Sequence, residues 1–119
     1  MYGLPEDFDG SFFIGRVLEA VSYTSNSLVL GFDNGVSITI ESTFEYRAAV
    51  NEAHVERQRV PVASSAVMQL LGHSVEAVEA VSEGTLTLRF NGGHVFMCFD
   101  DQPDYESYRI AKGSDEIFV

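Results

Sequence analysis

Apolar and polar residues alternate with a period of two in a pair of short runs that occurs twice along the chain. Leu28, Leu30 and Phe32 alternate with Ser27, Val29 and Gly31, and Val36, Ile38 and Ile40 alternate with Ser37, Thr39 and Glu41. This period puts one set of side chains on a buried strand face and the other towards water. Between the runs sits Asp33-Asn34-Gly35, where Asn-Gly can take the positive φ angles of a tight hairpin turn. Downstream, Leu86, Leu88 and Phe90 alternate with Thr85, Thr87 and Arg89, and Asn91-Gly92-Gly93 makes the turn. The return strand, His94 to Phe99, is apolar on both faces. Such a strand is normally covered on both sides, which places it centrally, under a helix or in a dimer interface.

The recurrence reaches further. Gly15, Glu19, Ala20 and Val21 fall on Gly72, Glu76, Ala77 and Val78, and Phe44-Glu45-Tyr46-Arg47 loosely echoes Tyr105-Glu106-Ser107-Tyr108-Arg109. The expected organisation is one domain over 1–119 with an internal repeat at about 14–47 and 71–109. Each copy reads as strand, strand, tight turn, strand. Residues 12–23 suit a helix through Phe13, Val17 and Ala20, but their β-branched and aromatic content favours a strand. Residues 1–10 form an N-terminal arm broken by Gly3, Pro5 and Gly10, with Phe8 tucked onto the body.

Between the copies, Pro61 stops any continuous helix, so Glu52 to Val62 suits an extended edge strand. A short helix is expected from Ser64 to Leu71, stopped by Gly72. One longer helix over 64–82 is the alternative. The apolar Ile117-Phe118-Val119 should dock as an edge strand or on a partner.

The fold class is therefore α+β, mainly β: two three-strand antiparallel meanders in a curved sheet or partly open barrel, with one short helix. The expected core is Val17, Leu28, Leu30, Phe32, Ile38, Ile40, Val67, Leu70, Leu71, Val75, Leu86, Leu88, Phe90, Val95, Met97 and Phe99.

Charge changes the picture more than composition does. The 119 residues carry 18 acidic and 7 basic side chains, a formal net charge of −11. Nothing in the sequence clusters the few Lys and Arg, so neither nucleic acid nor an anionic membrane is an expected partner. A basic protein partner is favoured, because opposite potentials speed encounter. No apolar run is long enough to cross a bilayer, and the acidic start lacks the basic region of a signal peptide. A cytoplasmic location is expected, and the lone Cys98 agrees with it.

Few residues point to chemistry. His54, His73 and His94 lack metal-ligand spacing and read as surface histidines. Cys98 lies in an apolar strand, which makes a thiol inert. No nucleophile elbow or phosphate-cradling glycine loop is present, and no cofactor or metal is expected. The segment Asp100-Asp101-Gln102-Pro103-Asp104-Tyr105-Glu106-Ser107-Tyr108 lacks the spacing of a calcium loop. Tyrosines set among carboxylates instead suit an Arg-rich partner.

Leu70-Leu71-Gly72, the Gly84–Phe90 strand, the Gly92-Gly93 turn and Tyr105-Glu106-Ser107-Tyr108 together resemble a group of small bacterial domains of unknown function. Some similar domains resemble immunity proteins that neutralise a toxin. These are fold motifs, so the resemblance implies a fold and no catalytic residue.

The expected function is a non-enzymatic protein-binding module, with an immunity-type inhibitor of a basic partner as its sharpest form. Its contact residues would be Asp100, Asp101, Asp104, Tyr105, Glu106 and Tyr108. The alternatives are a small-molecule-binding or hydrolytic module using the concave sheet face, and a homo-oligomer, such as a homodimer, joined through His94–Phe99 or Ile117–Val119.

Overall fold

The computed structural model describes residues 3–48, 55–62 and 64–119. The first meander is β1 (Leu18–Tyr23), β2 (Leu28–Phe32) and β3 (Val36–Ile40). The chain then crosses to a second sheet for β4 (Thr43–Arg47) and β5 (Val55–Arg59). A second meander follows, β6 (Val75–Ala80), β7 (Leu86–Phe90) and β8 (Val95–Cys98). The chain crosses back for β9 (Tyr108–Lys112) and β10 (Asp115–Phe118). The result is two five-stranded antiparallel sheets, ordered β1-β2-β3-β9-β10 and β5-β4-β8-β7-β6. Each meander is thus extended by the strand pair that follows the other meander in the chain.

This corrects the expectation of one curved sheet or a partly open barrel. The apolar faces bury against each other, which needs two facing layers. Phe32 and Phe90 stack at 6.3 Å between ring centroids, and Phe13 meets Phe32 edge-on at 5.7 Å. Backbone bonds join the sheets where β1 and β6 begin. Leu18 N–H donates to His73 O at 3.0 Å and Val75 N–H to Arg16 O at 2.9 Å, around an antiparallel bridge between Val17 and Ser74. At the crossovers, matching bonds extend the β3–β9 and β4–β8 ladders within each sheet: Glu41 N–H donates to Ser107 O at 2.9 Å and Phe99 N–H to Thr43 O at 3.1 Å.

The first hairpin turns as its sequence requires, with Asn34 at φ 56° and Gly35 at φ 71°. The expected helix over Ser64–Leu71 is instead a single 3₁₀ turn, Val67–Leu70. A run this short cannot offset the cost of nucleating an α-helix. A second 3₁₀ turn, Gly10–Phe13, precedes β1 and buries Phe13. The N-terminal arm is anchored on the body: Leu4 is buried, and Phe8 and Phe12 pack against the core. β5 and β10 are the edge strands expected near residues 52–62 and at the tail, although His54 and its neighbours lie outside the described residues.

The core holds most of the expected residues, with two corrections. In β8 it is Phe96 and Cys98 that face inward, while Val95, Met97 and Phe99 are only half-buried. Outside β8, Leu71 is 40% exposed and Val17 is only half-buried. The register explains a third difference. Phe44 pairs with Cys98 and Tyr108 with Ile40, so Phe44 and Tyr108 hold matching places. The echo of 44–47 in 105–109 is therefore out of step with the pairing. No helix among the described residues is long and apolar enough to cross a membrane.

Candidate functional site

The acidic segment after β8 divides into an anchored base and a presented tip. Asp100 is part of the base. Its carboxylate accepts from Gly3 N–H at 2.8 Å and from Ser107 Oγ–H at 2.8 Å, tying the N-terminal arm to the loop. Asp101 accepts from Thr43 Oγ1–H at 2.5 Å and pairs with Arg59 at 3.5 Å. Tyr108 was expected at a contact surface and is fully buried instead. Its hydroxyl donates to Gly84 O at 2.7 Å, and burial pushes its pKa far above the ordinary tyrosine range. β9 inserts Tyr108 opposite Ile40 with its ring in the core. The tip, Pro103 to Tyr105, is exposed, with Tyr105 67% accessible.

Glu106 belongs to a different feature. With Pro5 of the arm and Glu116, Ile117 and Phe118 of β10, it lines a groove of about 520 Å³. Register fixes how β10 presents itself there. Val119 and Tyr108 exchange backbone bonds, at 2.9 and 3.4 Å. Antiparallel pairs alternate between bonded and unbonded, so Ile117 with Ile110 and Asp115 with Lys112 also face β9. The N–H and C=O groups of Glu116 and Phe118 therefore point away from the sheet. No strand among the described residues lies against that edge. A second groove of about 360 Å³ shares Pro5 and Ile117 and adds the apolar walls Phe8 and Phe12, with Asp7, Asp9 and Asp115 around a single Lys112. The Asp9 carboxyl is held below the usual carboxylate range, chiefly by the Ser11 backbone N–H.

Two of the three histidines are not the freely exposed residues expected, and His54 lies outside the described residues. His73 and His94 are both half-buried, with ring centroids 4.6 Å apart. Tyr46 Oη lies 3.0 Å from His94 Nδ1 and donates to Gln69 Oε1 at 3.3 Å. His73 Nδ1 is buried without a hydrogen-bond partner among the described residues. The Asn91–Gly93 turn and the β6–β7 pairing bring the rings together from positions 21 apart in sequence. No three His, Cys, Asp or Glu side chains gather to hold a metal ion among the described residues. Cys98 is fully buried, and its thiol pKa is pushed up by desolvation.

The basic residues cluster more than the sequence suggests. Cross-strand register puts Arg47, Arg57 and Arg89 on the outer face of the second sheet, with Arg59 on the same side of β5. Each has an acidic neighbour: Arg47 and Arg57 meet Glu45 at 2.7 and 3.6 Å, Arg59 meets Asp101, and Arg89 meets Glu79 at 2.6 Å. This face is a charge-paired lattice, whereas acids outnumber bases at the β10 grooves, where Glu116 meets Arg109 at 3.9 Å and Lys112 lies among Asp7, Asp9 and Asp115.

A family model described as a family of unknown function, DUF6188, matches residues 12–119. The chain belongs to the DUF6188 family. No curated protein and no solved structure shows significant similarity to it. The DUF6188 match accords with the resemblance to small domains of unknown function and attaches no toxin-immunity role to it. Glu106 and all of β10 lie within the DUF6188 stretch, and Pro5 precedes it.

Proposed function

We propose that this protein is a non-enzymatic binding module that receives a basic partner protein along the edge of β10. The supporting observation is the groove in which two carboxylates, Glu106 and Glu116, flank the apolar Pro5, Ile117 and Phe118 beside an open strand edge. The net charge of −11 favours approach of a basic surface. Asp104 and Tyr105 adjoin Glu106 and extend the contact surface, while Asp100, Asp101 and Tyr108 hold its frame. An inhibitor that covers a basic site on its target, the immunity-type role, would act in this manner.

The geometry gives less to the other readings. A ligand on the concave sheet faces would have to displace a packed core, since Phe32 and Phe90 stack between the sheets. A dimer through His94–Phe99 would use a strand whose Phe96 and Cys98 already face inward. Phe99 is covered by the Arg57 guanidinium, 4.2 Å from its ring centroid.

The test is calorimetric titration with a short synthetic peptide that alternates lysine or arginine with valine. A glutamate-valine peptide serves as control. Binding of the cationic peptide should weaken as salt rises, and Glu106→Gln with Glu116→Gln should weaken it by about two- to tenfold, as rim charges do. Equal binding of the glutamate peptide, or no effect of the double substitution, would refute the reading.

A further inference from the structure

We infer that the partner binds by strand addition: an extended segment alternating basic and apolar residues pairs antiparallel with β10 and becomes the sixth strand of the first sheet. The inference rests on the binding reading above and specifies its mode.

Backbone complementarity comes first. Glu116 and Phe118 each direct one N–H and one C=O away from β9, and an added strand would satisfy all four groups. The groove of about 520 Å³ is lined from both faces of β10, by Glu116 and Phe118 on one and Ile117 on the other. It therefore runs along the edge, where an extra strand would lie.

Side-chain chemistry then sets the sequence of that strand. Residues directly opposite in an antiparallel pair share a sheet face. A residue opposite Glu116 lies on the outer face beside a carboxylate that is 47% exposed and only loosely paired with Arg109 at 3.9 Å, so a Lys or Arg there would share it. A residue opposite Ile117 projects to the other face, towards Pro5 and the Phe8 and Phe12 walls of the adjoining groove, which calls for an apolar side chain. Opposite Phe118 a cation can lie against the part of the ring that Arg109, 6.0 Å from its centroid, leaves exposed.

A second copy of this chain fits less well. Asp115 and Glu116 on β10 repel the same edge of another molecule, a common guard against edge pairing. Of the other edge strands, β1, β5 and β6, it is β5 that carries basic side chains, alternating Arg57 and Arg59 with Glu56 and Gln58. Pairing β5 with β10 would push those two polar side chains towards the apolar groove.

The test uses the full chain and three peptides of one composition: alternating Lys/Arg-Val, the same peptide N-methylated at the amides facing β10, and a block-order version. N-methylation removes hydrogen bonds and leaves charge unchanged. It should weaken binding by about two- to tenfold per blocked amide, the worth of one net hydrogen bond. Block order should weaken it as well. On the protein side, E116Q and E116P are equally neutral, but only E116P deletes the outward N–H, so E116P should bind more weakly than E116Q. Equal affinity for the N-methylated and unmodified peptides would overturn strand addition and leave the basic-partner reading standing. Failure of every cationic peptide to bind would overturn both. Concentration-dependent self-association of the free chain, abolished by E116P, would overturn the inference in favour of a second copy at this edge.

Discussion

Replacing Tyr108 by phenylalanine removes one oxygen from the interior and leaves the ring in place. The wild-type hydroxyl donates to Gly84 O at 2.7 Å in a fully buried setting. In the variant that carbonyl loses its donor with no water to replace it, a cost of about 1–3 kcal/mol. A domain of this size has a total stability of about 5–15 kcal/mol, so a urea titration resolves the loss. The pH dependence gives a second, independent sign. Burial is the main cause that raises the Tyr108 pKa above its ordinary 10.0, with Cys98 and Asp100 adding to it. Above pH 10 the unfolded tyrosine loses its proton while the folded one keeps it. The unfolded state then binds fewer protons, and wild-type stability falls with rising pH by about 1.4 kcal/mol per unit. Phenylalanine removes that slope, so the gap between wild type and Tyr108→Phe should be full at neutral pH and shrink above pH 10. Peptide binding at neutral pH should be unchanged, because the ring and its neighbours stay in place. A neutral-pH cost below about 0.5 kcal/mol, the level expected of a surface substitution, would refute the buried-strut argument. So would an alkaline slope equal in the two proteins.

Gly84→Ala should cost about 2 kcal/mol or more in the same urea assay, because Gly84 has φ 109° and an added Cβ would overlap the Asp100 side chain. Phe90→Ala opens a cavity between the two sheets and should cost about 3–5 kcal/mol, read as a lower thermal midpoint. Cys98 should resist alkylation in the folded protein and react once urea unfolds it, as followed by intact mass. Asp100→Asn weakens the acceptor that holds Gly3 and Ser107, so limited proteolysis should cut the N-terminal arm sooner than in wild type.

Local signals carried well from sequence to structure, and partner choice did not. Asn34-Gly35 was legible because its turn depends on two backbone angles that few other residue pairs adopt. Leu28, Leu30, Phe32, Leu86, Leu88 and Phe90 were legible because alternation alone decides their face. The exchange of β4 with β9 was not, since either could extend either meander and only three-dimensional packing selects one. That exchange also misled the reading of Tyr108, whose polar neighbours Glu106 and Ser107 suggest a surface loop until the pairing with Ile40 is known. In β8 both faces are apolar, so the sequence could not say that Phe96 and Cys98 turn inward. The grooves draw Pro5, Glu106 and Glu116 from three separate stretches of chain, and no local pattern announces such a meeting. His73 and His94 carried a usable hint: each follows a glycine with positive φ, and the β6–β7 pairing brings those two chain positions together.

The central claim is that the open edge of β10 is where a basic extended segment binds. Amide hydrogen exchange at Glu116 and Phe118, with and without the alternating Lys/Arg-Val peptide, tests it most directly. Both amides should exchange rapidly in the free protein and become strongly protected in the complex, while Ile117, already bonded to β9, changes little. Saturating peptide that binds and leaves the Glu116 and Phe118 amides unprotected would contradict the claim.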